Sequence, residues 1–303
     1  MNNLNSLFEK IRRYKNTYKN WMEVMFDVRR GKEFIKCELR NGERIELPYN
    51  LAWFVPNYHL YLGVPLSSIA DLANSGIVEF EYNELSLKFN PGQSGLLAIP
   101  LLETFYKNDY EFLKPEGFNV VDIGANIGDT PIYFAIKGAK KVVALEPYPS
   151  VFNLAYDNIR MNNLGSKIVL LNAGYGIQGS MEVEDRVEKL FLETSVHSTH
   201  SSSSKIMIYS LKALLEKFEL INSNELLLKV DCEGCEYQLL NEEPSAFAGF
   251  RRVQIEYHYG YENLSKLFSG LGFTVRNTKP KKTFNPDYPN PYMNVGYIYA
   301  ERD

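Results

Sequence analysis

Hydrophobic positions keep two different rhythms along the chain, and the change falls near residue 118. Before it, "EFIKCELRNGERIELP" (33–48) alternates apolar and polar residues on both sides of Asn41-Gly42, which predicts a β-hairpin. "GIVEFEYNELSLKF" (76–89) repeats that pattern around Tyr82-Asn83. Residues 1 to about 20 read as a mainly polar helix. Between the hairpins, "NLAWFVPNYHLYLGVP" is aromatic and broken by prolines, and "LLETFYKNDYEFLKPEG" (101–117) reads as a helix ending at Pro115–Gly117. Residues 1–100 are therefore expected to form a small α+β extension rich in antiparallel strand, followed by a main domain over 101–303.

From residue 118 continuous apolar strands alternate with helical patterns. "FNVVDIG", "KKVVALEP", "KIVLLNAG", "ELLLKVDCEG" and "RRVQIEYH" read as strands; "DTPIYFAIKG", "PSVFNLAYDNIRMNN" and "YENLSKLFSGLG" read as helices. This alternation predicts an α/β fold with a mostly parallel sheet covered on both faces. The last two strands, "FTVRNT" and "NVGYIYAE", are joined by "KPKKTFNPDYPNPY", which has no room for a crossover helix, so they should pair antiparallel at an edge. Residues 174 to 205, ending in "HSTHSSSSK", read as a long loop, either a lid over a substrate or a surface insertion.

Composition narrows the class. A formal net charge of −4 gives no general attraction to nucleic acid. No apolar run approaches the roughly 18–20 residues that span a bilayer, and "MNNLNSLFEK" lacks the apolar centre of a signal peptide, so a cytoplasmic protein is expected. The 21 tyrosines and 18 phenylalanines suit packing first and flat or sugar-like ligands second. Cys232 and Cys235 form a C-x-x-C, but no second ligand pair of suitable spacing accompanies it, and three acids surround it; the two thiols are expected to pack rather than bind metal or cycle in redox. The strands of the extension leave edges through which copies of the chain could pair.

The first turn of the parallel part runs Asp122-Ile123-Gly124-Ala125-Asn126-Ile127-Gly128. A dinucleotide fingerprint would have a glycine where Asp122 stands. A carboxylate there would repel a pyrophosphate and suit a cationic ligand such as S-adenosylmethionine, which has no phosphate. Gly124 would let the backbone approach the ligand, and Gly128 would let the helix start tight against the strand. Glu146, ending the next strand, is placed to accept both ribose hydroxyls; Asn172, after the third strand, suits either the adenine edge or a turn.

A second group of polar residues ends the fourth and fifth strands. Lys229 and Asp231 share a face, Glu233 and Glu236 follow in the turn, and Glu256 and His258 stand two apart. A lysine in a buried strand needs an ion pair with Asp231 or a neighbouring acid. In open α/β sheets ligands bind at the carboxyl ends of the strands, where these acids fall. Asp231 is the first choice beside the reacting atoms, and His258 suits a general base at neutral pH.

"VVDIGANIGDTPIYFAIKGAKKVVALEP", "NLAYDNIRMNN" and "LLLKVDCEGCEYQLL", in that order, resemble the FkbM family of S-adenosylmethionine-dependent methyltransferases over roughly residues 100–275. The resemblance implies the Rossmann-like class I methyltransferase fold, with seven strands of which the last is antiparallel, and O-methylation of a hydroxyl on a sugar, glycan or natural product. It usually has small or aliphatic residues where Cys232 and Cys235 stand, and it leaves the first hundred residues unexplained. The residues expected around S-adenosylmethionine are Asp122, Gly124, Asn126, Gly128, Glu146 and Asn172, and those expected around the acceptor are Asp231, Lys229, His258 and Glu233. The cofactor arrives activated, so the protein aligns the reactants and removes a proton. A divalent cation held by clustered acids is a second route to that proton, which the spacing of Asp231, Glu233 and Glu236 does not settle. A nicotinamide-dependent oxidoreductase and a non-catalytic binding module stay open as rival readings, the first opposed by Asp122 and the second by retention of both polar groups.

Overall fold

β-Branched and leucine-rich runs at the centre of the main domain form strands buried on both faces. The computed structural model describes residues 2–92, 99–184, 203–284 and 290–303. The chain divides into two compact units whose main boundary lies between Asn108 and Asp109.

The first unit contains helices α1 (Asn2–Thr17), α2 (Trp21–Arg29), α3 (Tyr49–Tyr61) and α4 (Leu66–Ser75), and hairpins β1 (Phe34–Glu38) with β2 (Arg44–Pro48) and β3 (Val78–Tyr82) with β4 (Leu85–Phe89). Both hairpins fall where alternation predicts them. Asn83 and Glu84, at φ 48° and 65°, make the two-residue turn whose left-handed backbone matches the twist of β3 and β4. The aromatic stretch between the hairpins differs from expectation, because it is helical in spite of Pro56. A proline inside a helix leaves the carbonyl four residues earlier without its donor. Here that carbonyl, on Ala52, accepts the buried Tyr18 hydroxyl at 3.0 Å. The predicted 101–117 helix is also interrupted: α5 (Ile99–Leu101) runs into one wide π turn (Leu102–Tyr106), and a single 3-10 turn follows at Glu111–Leu113.

The second unit holds β5 (Asn119–Ile123), α6 (Asp129–Ile136), β6 (Lys141–Leu145), α7 (Pro149–Met161), β7 (Ile168–Leu171), β8 (Ala173–Tyr175), β9 (Gly179–Glu184), β10 (Ser203–Tyr209), α8 (Leu211–Lys217), β11 (Leu226–Val230), β12 (Phe250–Tyr257), α9 (Glu262–Gly270), β13 (Thr274–Asn277), β14 (Lys281–Phe284) and β15 (Tyr292–Glu301). The main sheet runs β13-β15-β12-β11-β5-β6-β7, with β14 added against β15. Its centre is parallel, and β15 pairs antiparallel with both β12 and β13. The final strand thus sits one place in from the edge. One face packs Val121, Ile123, Val143, Leu145, Leu228, Val230 and Ile255 against Leu214 and Leu215 of α8 and Leu264 and Phe268 of α9. Among the described residues no helix is long and apolar enough to cross a membrane.

The segment read as a loop from 174 to 205 is largely strand at its flanks. β9 pairs antiparallel and β8 parallel with β10, forming a second small sheet. Val183, Ile206 and Ile208 give it a core of its own, a weak alternation that the neighbouring serines conceal. Residues 185–202 of the expected 174–205 lid lie outside the described residues, as do 285–289 of the proline-rich connection.

Candidate functional site

Strand register assembles the polar residues. Lys229 on β11 lies beside Asp122 on β5 and Gln254 on β12, so the three stand in one row on one face. Lys229 Nζ is 3.1 Å from the Asp122 carboxylate, and both side chains are buried. The ammonium also donates to the Gly124 carbonyl, and the Thr130 hydroxyl donates to Asp122 at 2.5 Å. Burial pushes the Asp122 carboxyl up, and Lys229 pulls it back. Burial would lower the Lys229 ammonium, but Asp122 and Asp231 hold it above its ordinary range. The pair brackets the turn from below. The ion pair expected of Lys229 is made with the neighbouring acid Asp122, and Lys229 and Thr130 engage the carboxylate that was expected to face a cationic ligand.

The turn above is shaped by its neighbours. Gly124 has φ +87°, and a Cβ there would lie 1.8 Å from the Asp231 carbonyl oxygen. This close approach is to the backbone after β11. Gly128, at φ +86°, fits against Ala155 of α7, where a Cβ would meet three atoms at 3.1–3.3 Å. Asn126 adopts φ 48° and turns its backbone N–H to Glu146 Oε2 at 3.0 Å. Glu146 Oε1 accepts the Tyr148 N–H at 3.0 Å. Burial raises this carboxyl to about 7. Its donors are two backbone N–H groups rather than a basic side chain, and each oxygen keeps a lone pair, which fits an incoming pair of hydroxyls. Asn172 directs its amide NH2 to the carbonyls of Glu146 and Pro147 at 2.9 and 3.1 Å. These bonds tie the end of β7 to the end of β6.

The third group stands at the ends of β11 and β12. Asp231 is partly exposed and accepts the Tyr110 hydroxyl at 3.2 Å. Burial and the adjacent Asp231 raise the Tyr110 phenol well above its ordinary value, so it serves as a neutral donor. The sequence gives no sign of this partner, 121 residues away. His258 has both ring nitrogens engaged: Nδ1 at 2.9 Å from Glu236, and Nε2 at 3.0 Å from Glu233. Burial would lower this imidazole, but the two glutamates outweigh it and raise it to about 11. The two glutamates thus favour the protonated imidazole and occupy both of the nitrogens that a general base would use. Glu236 is the anchor, fully buried, and also accepts the backbone N–H groups of His258 and Gly234 at 2.9 and 2.8 Å. Glu256 completes the rim: one oxygen each from Asp231 and Glu256 and one His258 nitrogen lie within 4.8 Å of one another.

Cys232 and Cys235 are joined in a disulfide inside this turn and pack against the main core. The expectation of two packing thiols holds for their surroundings and fails for their covalent state. A C-x-x-C in a tight turn brings the two Cα atoms to 5.5 Å, within bonding range.

The profile of the Methyltransferase FkbM domain matches residues 122–274, just over half of the chain. No curated protein sequence matches it significantly. Among solved structures it is similar to M. jannaschii TYW2 in complex with AdoMet, with 16% identity over 75% of this chain and 87% of that one and a TM-score of 0.41. It is also similar to P. horikoshii TYW2 in complex with MeSAdo, with 13% identity, 94% and 84% coverage and a TM-score of 0.37. A third likeness is to precorrin-6y C5,15-methyltransferase from Geobacter metallireducens GS-15, with 11% identity, 69% and 90% coverage and a TM-score of 0.34. Residues 122–274 begin on Asp122 of β5 and run through the rim of β11 and β12 to β13, and the chain belongs to the FkbM family of S-adenosylmethionine-dependent methyltransferases, with the class I Rossmann-like fold.

Proposed function

We propose that this methyltransferase transfers the methyl group to a hydroxyl oxygen of a sugar, glycan or small natural product. S-adenosylmethionine supplies an activated methyl bound to a sulfonium. The observation that carries the reading is the presence of two unlike acids at the ends of β6 and β11, the two strands that flank β5. Glu146 is buried and, among the described residues, its oxygens take backbone donors from Asn126 and Tyr148, which suits ribose hydroxyls. Asp231 is partly exposed and takes a phenol donor from Tyr110.

In this reading Glu146 holds the ribose, and Asp122 with Lys229 keeps the turn in place without touching the ligand. Gly124 brings the turn backbone against that of Asp231, so cofactor and acceptor residues are in register through one contact. Asp231 then orients the acceptor hydroxyl or takes its proton, with Tyr110 fixing the carboxylate. Proximity of this kind is the main contribution a protein makes when one reactant is already activated. The negative net charge and the acidic rim favour an uncharged hydroxyl acceptor over a polyanion such as nucleic acid. The likeness to FkbM proteins supports methyl transfer in general, and the acids of the rim support oxygen as the acceptor atom.

The test is transfer of labelled methyl to parallel panels of hydroxyl, amine and nucleic-acid acceptors. Products methylated on oxygen, with Asp231→Asn slowing transfer about 100-fold or more, are expected. Methylation confined to nitrogen or RNA acceptors, or an unaffected Asp231→Asn variant, would overturn the assignment.

A further inference from the structure

Three side chains of the rim offer donor atoms to one point. Asp231 follows β11, Glu256 lies within β12 and His258 one residue past its end, and their donor atoms fall within 4.8 Å of one another. Two ligands each about 2.2 Å from a shared ion stand no more than about 4.4 Å apart. Small rotations of the partly exposed carboxylates close that difference.

The imidazole is held for such a role from behind. Glu236 takes Nδ1 at 2.9 Å and is itself fixed by two backbone N–H groups. Nε2 is the ring nitrogen left for an ion. A carboxylate on the far nitrogen is the usual companion of a metal-bound histidine, because it sets the tautomer and the ring orientation. Nε2 now meets Glu233, whose side chain is 55% exposed. Glu233 stands at φ 56° beside Gly234, on a turn from which the side chain can swing aside or join as another ligand.

A separate observation comes from Gln254, on the same face of β12 two residues before Glu256. It is 1% exposed, and its amide nitrogen donates to the Asp109 carbonyl at 2.8 Å. Its Oε1 has no hydrogen-bond donor among the described residues. Buried acceptors of this kind are commonly satisfied by ordered water.

We propose that Asp231, Glu256 and His258 form a binding site for a divalent first-row cation, with Glu233 in reach as a further ligand and Glu236 as the positioning residue. One nitrogen and two carboxylate oxygens suit Mn2+, Fe2+ or Zn2+ better than Mg2+ or Ca2+, which prefer oxygen throughout. On binding, the Nε2 proton leaves to solvent and the ion takes its place. Three protein ligands leave coordination positions open. What the ion does there rests on the reading of this rim as the acceptor site: a hydroxyl bound to it loses its proton more readily.

The experiment uses the full chain and Mn2+ itself, whose free-ion paramagnetic resonance signal is lost on binding. One Mn2+ per chain is expected. Glu236→Gln should weaken it roughly 10–100-fold, and Glu256→Gln and His258→Ala at least as much. Circular dichroism and the thermal midpoint identify any variant that has failed to fold; Glu256→Gln, on a partly exposed side chain, is the variant least exposed to that failure. Absence of Mn2+ binding by the wild type, or wild-type affinity in folded Glu256→Gln, overturns the site. Hydroxyl methylation that survives exhaustive chelation, with no Mn2+ bound, removes the ion and leaves the acceptor reading intact. Stoichiometric Mn2+ binding without hydroxyl methylation supports the site and removes that reading.

Discussion

Lys229 and Asp122 face each other at 3.1 Å from adjacent parallel strands, both buried, beneath the turn that opens α6. Removing one member of a buried pair leaves the other charge without compensation, which costs about 3–5 kcal/mol. Lys229→Met is therefore expected to lower unfolding free energy by that amount. Asp122→Asn combined with Lys229→Met should lose much less than the sum of the single changes, because no uncompensated charge remains. Urea unfolding of the three variants measures this. Additive losses would show that the two side chains do not act as a pair.

Glu146 gives the protein two opposite responses to pH. Burial raises its carboxyl from 4.5 to about 7. A folded-state value above the unfolded one means that the stabilising contribution is complete below about 4.5 and is lost as pH rises through about 7. Over that window the unliganded protein should lose on the order of 3 kcal/mol relative to Glu146→Gln. Cofactor affinity should move the other way, since ribose hydroxyls donate better to a carboxylate than to a carboxylic acid. Calorimetric titration with S-adenosylhomocysteine between pH 6 and 8.5 should show tightening in the wild type beyond any trend in Glu146→Gln. Parallel pH profiles for the two proteins would refute the assignment.

The sequence makes these strands legible because each is apolar on both faces, and a strand buried on both faces leaves a continuous run at any register. Asp122, Glu146 and Asp231 are likewise legible as residues at strand ends. What each one touches is not. Asp122 looks like a charge offered to a ligand until the register sets Lys229 beside it. His258 looks like a neutral base until Glu233 and Glu236 close on both nitrogens. Gly124 signals a close approach, but only the fold shows that the approaching group is the Asp231 carbonyl. These are relations between segments more than 80 residues apart, or across a turn whose left-handed φ values at Glu233 and Gly234 follow from no local pattern. The strands β9 and β10 were hidden for a different reason, since only Val183, Ile206 and Ile208 supply their apolar side.

The disulfide between Cys232 and Cys235 leaves Cys37, which is buried, as the free thiol. Alkylation in denaturant without reductant is expected to add one label per chain, and three after reduction. Mass spectrometry distinguishes the outcomes. Three labels before reduction would mean that the thiols are unpaired in the isolated protein.

Tyr18 and Pro56 form a compensated defect in the first unit. Pro56 has no N–H for the Ala52 carbonyl, and the Tyr18 hydroxyl supplies the missing donor at 3.0 Å. Tyr18 is fully buried, so Tyr18→Phe leaves that carbonyl in an apolar environment with no water to replace the donor. A loss of roughly 1–3 kcal/mol is expected. Pro56→Ala restores a backbone N–H at the right position in the helix, so the same Tyr18→Phe change should cost less in that background. A double-mutant cycle followed by urea unfolding isolates the coupling. Equal losses from Tyr18→Phe in both backgrounds would separate the hydroxyl from the proline, and α3 would then owe its continuity through Pro56 to packing of Leu51, Phe54, Val55 and Tyr58 alone.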